Sequence, residues 1–543
     1  MPFTARVRFW TRVGVGGAGA AYIGLATLLA LAVPLFVPAD ETAHVDYAYQ
    51  VGHGHLPLAG SPLHAAFPTL GQRSGTQYVA YHPPLYYALI APLVRFGSGS
   101  THPRVWLLGA RAVGILLTVI TIVLVAVLAR RVFAHWDSAR RSQLAVLAAG
   151  LVGAVPSMVV ATAAIQNDAL ELVLVVAAGV CLAGIVRNGL SSRRVVALGL
   201  ICGLGMLSRV TFVQVLLTAI ATVGLLLVLR RGAEADPPLR QHIGRAAAYL
   251  SPVVLGPLLL AGWFYVMNHS RYGTFTGSNI AYDLVSKRSL LPRMRSPLRF
   301  ALDPQSWWAQ LLQLGGELPA RVATPGTAPR IIASLITVCL VLGVVAVALR
   351  WRSVRPDRDS WILLGGLLLV LLLSFAEIAS HVSHKGSENN RYLIDALPFW
   401  GIAVGVALLA IGPRRFPIAA FAVLIAEVFA SVNITLTLAR RQHALLDAHH
   451  ALGALATSMG HVGIPMPRAV LGVVLGVILA GVLAQCVALI ALGRDSPAVR
   501  APQDASHRAA AAESVEDSPA TRDMTASRLL NDSPRPDEGA DTG

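Results

Sequence analysis

Charge is scarce in this 543-residue chain: 13% of its residues are Asp, Glu, Lys or Arg, whereas 55% are hydrophobic. Soluble domains carry about 25% charged residues, and a mean hydropathy of +0.62 excludes a soluble globular protein of this length. Lysine is nearly absent, since Lys287 and Lys385 are the only two among 44 basic residues. The net charge of +16 does not point to nucleic acid, because the arginines fall in short clusters between apolar runs rather than in one patch. Cysteine is limited to Cys181, Cys202, Cys339 and Cys486, each inside an apolar run with no histidine at zinc-finger spacing. That excludes a disulfide framework or a zinc module and leaves packing. Walker, HExxH and GxSxG sequences are missing, as is a GxGxxG after a strand, so nucleotide-driven transport and the common hydrolase mechanisms have no local support.

What is present is a series of long apolar runs. A bilayer crossing needs about 20 mostly apolar residues. Twelve stretches qualify, near 14–37, 105–129, 144–164, 169–186, 195–208, 210–229, 247–267, 330–349, 360–380, 392–412, 417–438 and 469–492. The expected fold is an all-α polytopic membrane protein with about 12 transmembrane helices. Arginines at 130, 131, 140 and 141, at 187, 193 and 194, at 230 and 231, at 350, 352, 355 and 358, and at 414 and 415 all fall in loops on one side. The positive-inside rule makes that side the cytoplasm. Arg6, Arg8 and Arg12 place the N-terminus there, and an even number of spans returns the C-terminus to it. The apolar core of the first segment exceeds the roughly 7–15 residues of a cleavable signal, so it reads as an uncleaved anchor. Abundant Arg, Ala, Val and Leu suggest a GC-rich bacterial genome and hence a bacterial plasma membrane.

Residues 1–492 form the expected transmembrane domain, with long outward loops at 38–104 and 268–329. Residues 493–543 are polar, of mixed charge and nearly free of aromatics, the composition of a disordered cytoplasmic tail. In the first loop, Pro84 to Phe96 is apolar but too short to span, and reads as an interfacial or re-entrant helix opened by proline. The second loop carries Tyr272-Gly273, Thr276-Gly277-Ser278 and the basic residues Lys287, Arg288, Arg293, Arg295 and Arg299.

The residues able to do chemistry collect at outward span ends. Asp40-Glu41 follows the first span directly, where a carboxylate sits at the edge of hydrocarbon. His44, Tyr81, His82, Gln166, Asn167, Asp168, Arg209, Asn268, Arg271 and the run His381 to Tyr392 share that side. Simpler roles exist for several of them. Asp40-Glu41 would also mark a water boundary, Asn167-Asp168 would cap a helix, His82-Pro83-Pro84 would start one, and Arg391 and Tyr392 would anchor a span end.

The order of Asp40-Glu41-Thr42-Ala43-His44 after the first span, His82-Pro83-Pro84-Leu85-Tyr86-Tyr87, Asn167-Asp168 and Arg391-Tyr392-Leu393 opening a late span resembles the GT-C superfamily of polyprenyl-phosphate-sugar-dependent glycosyltransferases. Within it the likeness is to a bacterial membrane-protein group related to the protein mannosyltransferases and aminoarabinose transferases, over roughly residues 14–440. The resemblance implies a glycosyltransferase, hexosyl or pentosyl, drawing on a polyprenyl-phosphate-linked sugar and serving an envelope glycan, lipid or protein acceptor. It implicates Asp40-Glu41 as the catalytic pair, with Asp40 as the base or acceptor-orienting residue and Glu41 as its neighbour. His44, Tyr81, His82, Asn167, Asp168, Arg209, Lys385, Arg391 and Tyr392 are the expected substrate-binding residues. Arg391 is the foremost phosphate partner, because a guanidinium grips phosphate with two parallel hydrogen bonds. A divalent metal is conceivable from Asp40 and His44, four apart on one helix face, but one pair is no ligand set and no metal site is assigned. The rival class is a transporter or flippase of a lipid-linked or polar solute. It is disfavoured by the scarcity of charge inside the spans, where Glu171, Glu377 and Glu427 stand out, and by the lack of an internal repeat.

Overall fold

The computed structural model describes residues 2–495 except 39, 65, 73, 232–238, 278, 281–282, 284–295, 315–326, 385–389, 413–414 and 444–450. Several expectations lie outside the described residues: Lys385, Lys287, Arg288, Arg293, Arg295, Ser278, Arg414 and the tail beyond Asp495. Among the described residues the chain is helical, and its one β-feature is an isolated bridge between Pro62 and Thr76.

Ten helices are long and apolar enough to cross a bilayer, or eleven if one bent pair is a single span. The chain is a multi-pass helical membrane protein. The count falls just below the expected twelve for two reasons. The stretch near 144–164 is α5 (Ser138–Ala154) and α6 (Pro156–Ala163), bent by 63°. Val155, ahead of a proline, is held in an extended conformation that breaks the helix. The stretch near 195–208 is α8 (Ser192–Ser208), 17 residues and therefore short of a full crossing.

The frame around these elements is α1 (Phe3–Ala32), α4 (Pro103–Val132), α7 (Asp168–Asn188), α9 (Val213–Arg231), α10 (Leu239–Tyr272) and helices Arg358–Ser383 and Pro467–Arg494. Small residues allow the closest approaches. A methyl group at Gly17 would lie 2.6 Å from the carbonyl of Gly481, so α1 and the last helix cross backbone to backbone. Arg6 donates to Asp495 at 2.9 Å, which brings the start of the first helix and the end of the last to one end of the bundle.

In the first long loop, α2 (Glu41–Gly52) packs on α3 (Leu85–Ser98), which rests on α4. Fourteen residues of helix reach only about 21 Å, against a hydrocarbon core of about 30 Å, so α3 cannot cross. It buries Tyr86, Tyr87 and Ile90 on one face and exposes Leu89 and Phe96 on the other. That division suits an interfacial helix lying under the loop.

Candidate functional site

Four breaks between helices meet at one end of the bundle: the turn between α1 and α2, the turn between α6 and α7, the α8–α9 junction, and the 3₁₀ segment Asn390–Ala396. Each break supplies a charged side chain. Arg391 Nη1 donates to Asp40 Oδ2 at 3.2 Å and to Gln166 Oε1 at 3.0 Å. Its Nε lies 3.7 Å from Asp168 Oδ2. The other oxygen of Asp168 takes Arg209 Nη1 at 2.5 Å, and the same nitrogen donates to Glu171 Oε2 at 2.6 Å. Thr211 donates its hydroxyl to Glu171. The chain of groups therefore runs Asp40, Arg391, Asp168, Arg209, Glu171.

Exposure is concentrated at the Asp40 end of that chain. The Asp40 side chain is 31% exposed and Arg391 14%, whereas Arg209 is 4% and Asp168 fully buried. Asp40 is the open end of an otherwise desolvated network, so it is the carboxylate that an incoming molecule can reach. Tyr78 donates to Asp40 Oδ1 at 2.7 Å. Burial alone would raise the Asp40 pKa, but the Arg391 guanidinium and the Tyr78 hydroxyl outweigh it and hold the carboxyl below its ordinary value. Asp40 is thus an anion at neutral pH.

Asp40 also has an unusual backbone, with φ 71° and ψ −9°. Among the described residues only Phe36, Asp40 and Met466 are non-glycine residues at positive φ. Aspartate tolerates this region better than most residues, while an aromatic there costs on the order of 1–3 kcal/mol and persists only where its surroundings over-determine it. The turn between α1 and α2 holds two of the three.

Glu41 does not join Asp40. Its Oε1 accepts from Arg111 Nε at 2.8 Å and from the Ile165 amide at 3.0 Å; its Oε2 accepts from Arg111 Nη2 at 2.7 Å and from the Phe36 amide at 2.6 Å. Both side chains are fully buried. The expectation of a catalytic Glu41 is revised on this geometry, because all four of its acceptor positions are occupied.

The other expected residues that are described lie around the network. His44 engages Tyr87 OH through Nδ1 at 2.9 Å, and burial pushes its pKa down to about 4, so the ring is neutral. Its Nε2 is buried without a hydrogen-bond partner, as is Nδ1 of His82. Burial also pushes the His82 pKa well down. The carbonyl of His82 accepts from Tyr47 OH at 2.9 Å, and that of Tyr81 from Asn268 Nδ2 at 3.1 Å. Asn167 precedes α7 without a side-chain cap and donates instead to the Ser208 carbonyl at 3.3 Å. Tyr392 lies beside His381, its hydroxyl 3.1 Å from Nε2. Among the described residues no three His, Cys, Asp or Glu side chains converge as a metal-ligand set.

Arg111, Tyr78, Asp46 and Gln77 escaped the sequence reading. Asp46 is buried and accepts from the His64 amide at 2.7 Å and Gln77 Nε2 at 2.6 Å, which ties the first loop to α2. Arg111 did leave a signal, a lone charge inside an apolar run. Tyr78 and Gln77 left none, because polar residues in a long loop are unremarkable.

Residues 81–255 match the dolichyl-phosphate-mannose-protein mannosyltransferase family. The match to the family contains Tyr81, His82, Asn167, Asp168 and Arg209, and ends short of Arg391. It agrees with the likeness read from motif order. No curated protein matches the chain. Among solved structures, ArnT from Cupriavidus metallidurans bound to undecaprenyl phosphate is 16% identical with a TM-score of 0.46, covering 89% of this chain and 77% of that one. The apo oligosaccharyltransferase of Archaeoglobus fulgidus is 15% identical with a TM-score of 0.43, covering 89% of this chain and 56% of that one.

Proposed function

We propose that this chain transfers a hexosyl or pentosyl unit from a polyprenyl-phosphate donor to a cell-envelope acceptor at the outer face of a bacterial plasma membrane. The observation that carries the reading is Asp40: an ionised, partly open carboxylate held against Arg391 at the lip of a buried charge network. The match of residues 81–255 to a family named for a lipid-phosphate sugar donor supports it.

A sugar phosphate already has a good leaving group, so the reaction needs a base for the acceptor hydroxyl and a cation for the departing phosphate. Asp40 accepts the hydroxyl proton as the acceptor oxygen bonds to the anomeric carbon. The bond from that carbon to the phosphate oxygen breaks, and the polyprenyl phosphate leaves with the electron pair. Arg391 offsets the charge left on it, held in place by Gln166 and Asp168. Neutral His44 and His82 offer hydrogen bonds rather than charge, which suits sugar hydroxyls.

The test is transfer by the protein reconstituted in vesicles, using radiolabelled undecaprenyl-phosphate hexoses and pentoses. Asp40→Asn is expected to lose transfer with donor binding intact, and turnover within a few-fold of wild type would remove Asp40 as base. Arg391→Ala is expected to weaken binding of undecaprenyl phosphate, and unchanged binding would sink the phosphate role.

A further inference from the structure

The pair formed by Glu41 and Arg111 is saturated. Beyond its two bonds to Glu41, Arg111 donates Nη1 to the carbonyls of Ala30 at 2.8 Å and Val33 at 2.9 Å, and Nη2 to that of Pro34 at 3.0 Å. All five guanidinium donors are therefore in use, and with the amides of Phe36 and Ile165 all four acceptor positions of Glu41 are filled as well. A buried ion pair is poor evidence of stability in itself, since desolvation offsets the attraction. What this one does is geometric. It grips the carbonyl end of α1, the left-handed Phe36 and the residue before Gln166.

Those three places are the supports of the reacting pair. Phe36 and Asp40 are the two left-handed residues of the turn, and Glu41 Oε2 pins the Phe36 amide while Glu41 itself follows Asp40 directly. On the far side, Ile165 hangs from Glu41 Oε1, and its neighbour Gln166 holds Arg391. Gly114, one turn along α4 from Arg111, lies so close to the backbone of α6 that a methyl group there would collide with the Thr162 carbonyl. The base and its arginine thus hang from the same buried pair.

We infer that Glu41 and Arg111 are positioning residues, which together set the separation of Asp40 and Arg391. This rests on the transferase reading for its effect on rate, but not for its effect on the backbone. Two measurements on the full-length protein in nanodiscs separate them. The first is hydrogen exchange of segments 33–44 and 164–168. Glu41→Gln, which keeps the shape, is expected to raise exchange in both segments, although they are far apart in sequence. A rise in only one, or in neither, overturns the inference even if no sugar donor is ever turned over. The second is transfer from undecaprenyl-phosphate sugars. Glu41→Gln and Arg111→Lys are expected to lower kcat about 10²-fold, the cost of roughly ångström misplacement, with KM within about three-fold and the pH profile unmoved. The double variant Glu41→Gln/Arg111→Met removes both charges and so guards against misfolding around one stranded ion. Its kcat loss should be no greater than that of the worse single variant. Single variants with wild-type kcat, or a loss expressed only in KM, overturn the inference.

Discussion

Helix α7 has an arginine–carboxylate cluster at each of its ends, Asp168 and Glu171 at one and Arg187 at the other, and the two clusters are built differently. At the end away from Asp40, Arg187 pairs with Asp357 at 2.5 Å and reaches Asp359 at 3.4 Å. It also donates to the carbonyls of Arg131 at 3.0 Å and Val132 at 2.5 Å. Asp357 caps its own helix by accepting from the Ser360 amide at 2.9 Å. Each group there closes a helix end, and Asp357 stays 35% exposed. At the Asp40 end, two arginines face three carboxylates in near-complete burial, and exposure is kept for Asp40 alone among those acids. One cluster is a latch between helix ends. The other has its desolvated charges arranged behind one reachable carboxylate.

The contrast can be broken by rate first. Asp40→Asn should cost about 10²–10⁴-fold in transfer, the usual worth of a positioned base, with little change in thermal unfolding. Arg187→Met should leave transfer nearly unchanged, and a comparable loss of rate there would erase the distinction.

Stability gives the next largest effect. Arg209→Met strands Asp168 and Glu171 without their cation, and breaking a buried pair in this way costs about 3–5 kcal/mol. Arg187→Met opens a pair whose carboxylate is 35% exposed and can be hydrated once the cation is gone, so a smaller loss than for Arg209→Met is expected. Equal shifts of unfolding temperature in the two variants would mean that burial does not separate the clusters.

The pH dependence of stability sharpens the same point. His44 has a folded pKa near 4 because of burial, against about 6.5 when unfolded. The unfolded chain therefore binds the extra proton between those values, and stability should fall as pH drops from about 6.5 to about 4, by on the order of 3 kcal/mol from this one group. His44→Gln should flatten that part of the profile. A profile unchanged by the substitution would show that His44 is not held neutral.

The smallest expected effect is Tyr78→Phe. It removes one hydrogen bond from Asp40, and the bond helps to hold the carboxyl below its ordinary pKa. The acidic limb of the rate profile should move up in pH, because Asp40 then takes a proton more readily. Movement downward would contradict the donor role of Tyr78.

Much of this arrangement was legible beforehand. Apolar runs marked the spans, and the arginine loops put Asp40, Asp168, Arg209 and Arg391 on one side. The misses have physical causes. Hydropathy cannot see a 63° break such as that at Pro156, and α8 falls short by a few residues. Glu41 looked like a partner for Asp40 because neighbours in sequence invite that reading. Arg111, which claims Glu41, sits 70 residues away inside an otherwise apolar run.

The sequence by itself determined that this is a multi-pass helical membrane protein and which polar residues gather at one face, because hydropathy and charge bias act over short stretches of chain. Only the tertiary structure decided between adjacent carboxylates. The left-handed turn at Asp40 sends its side chain toward Arg391 and leaves Glu41 to Arg111. Which of two neighbouring acids stays open to water depends on arginines brought in from distant helices, and no local pattern records where those will be.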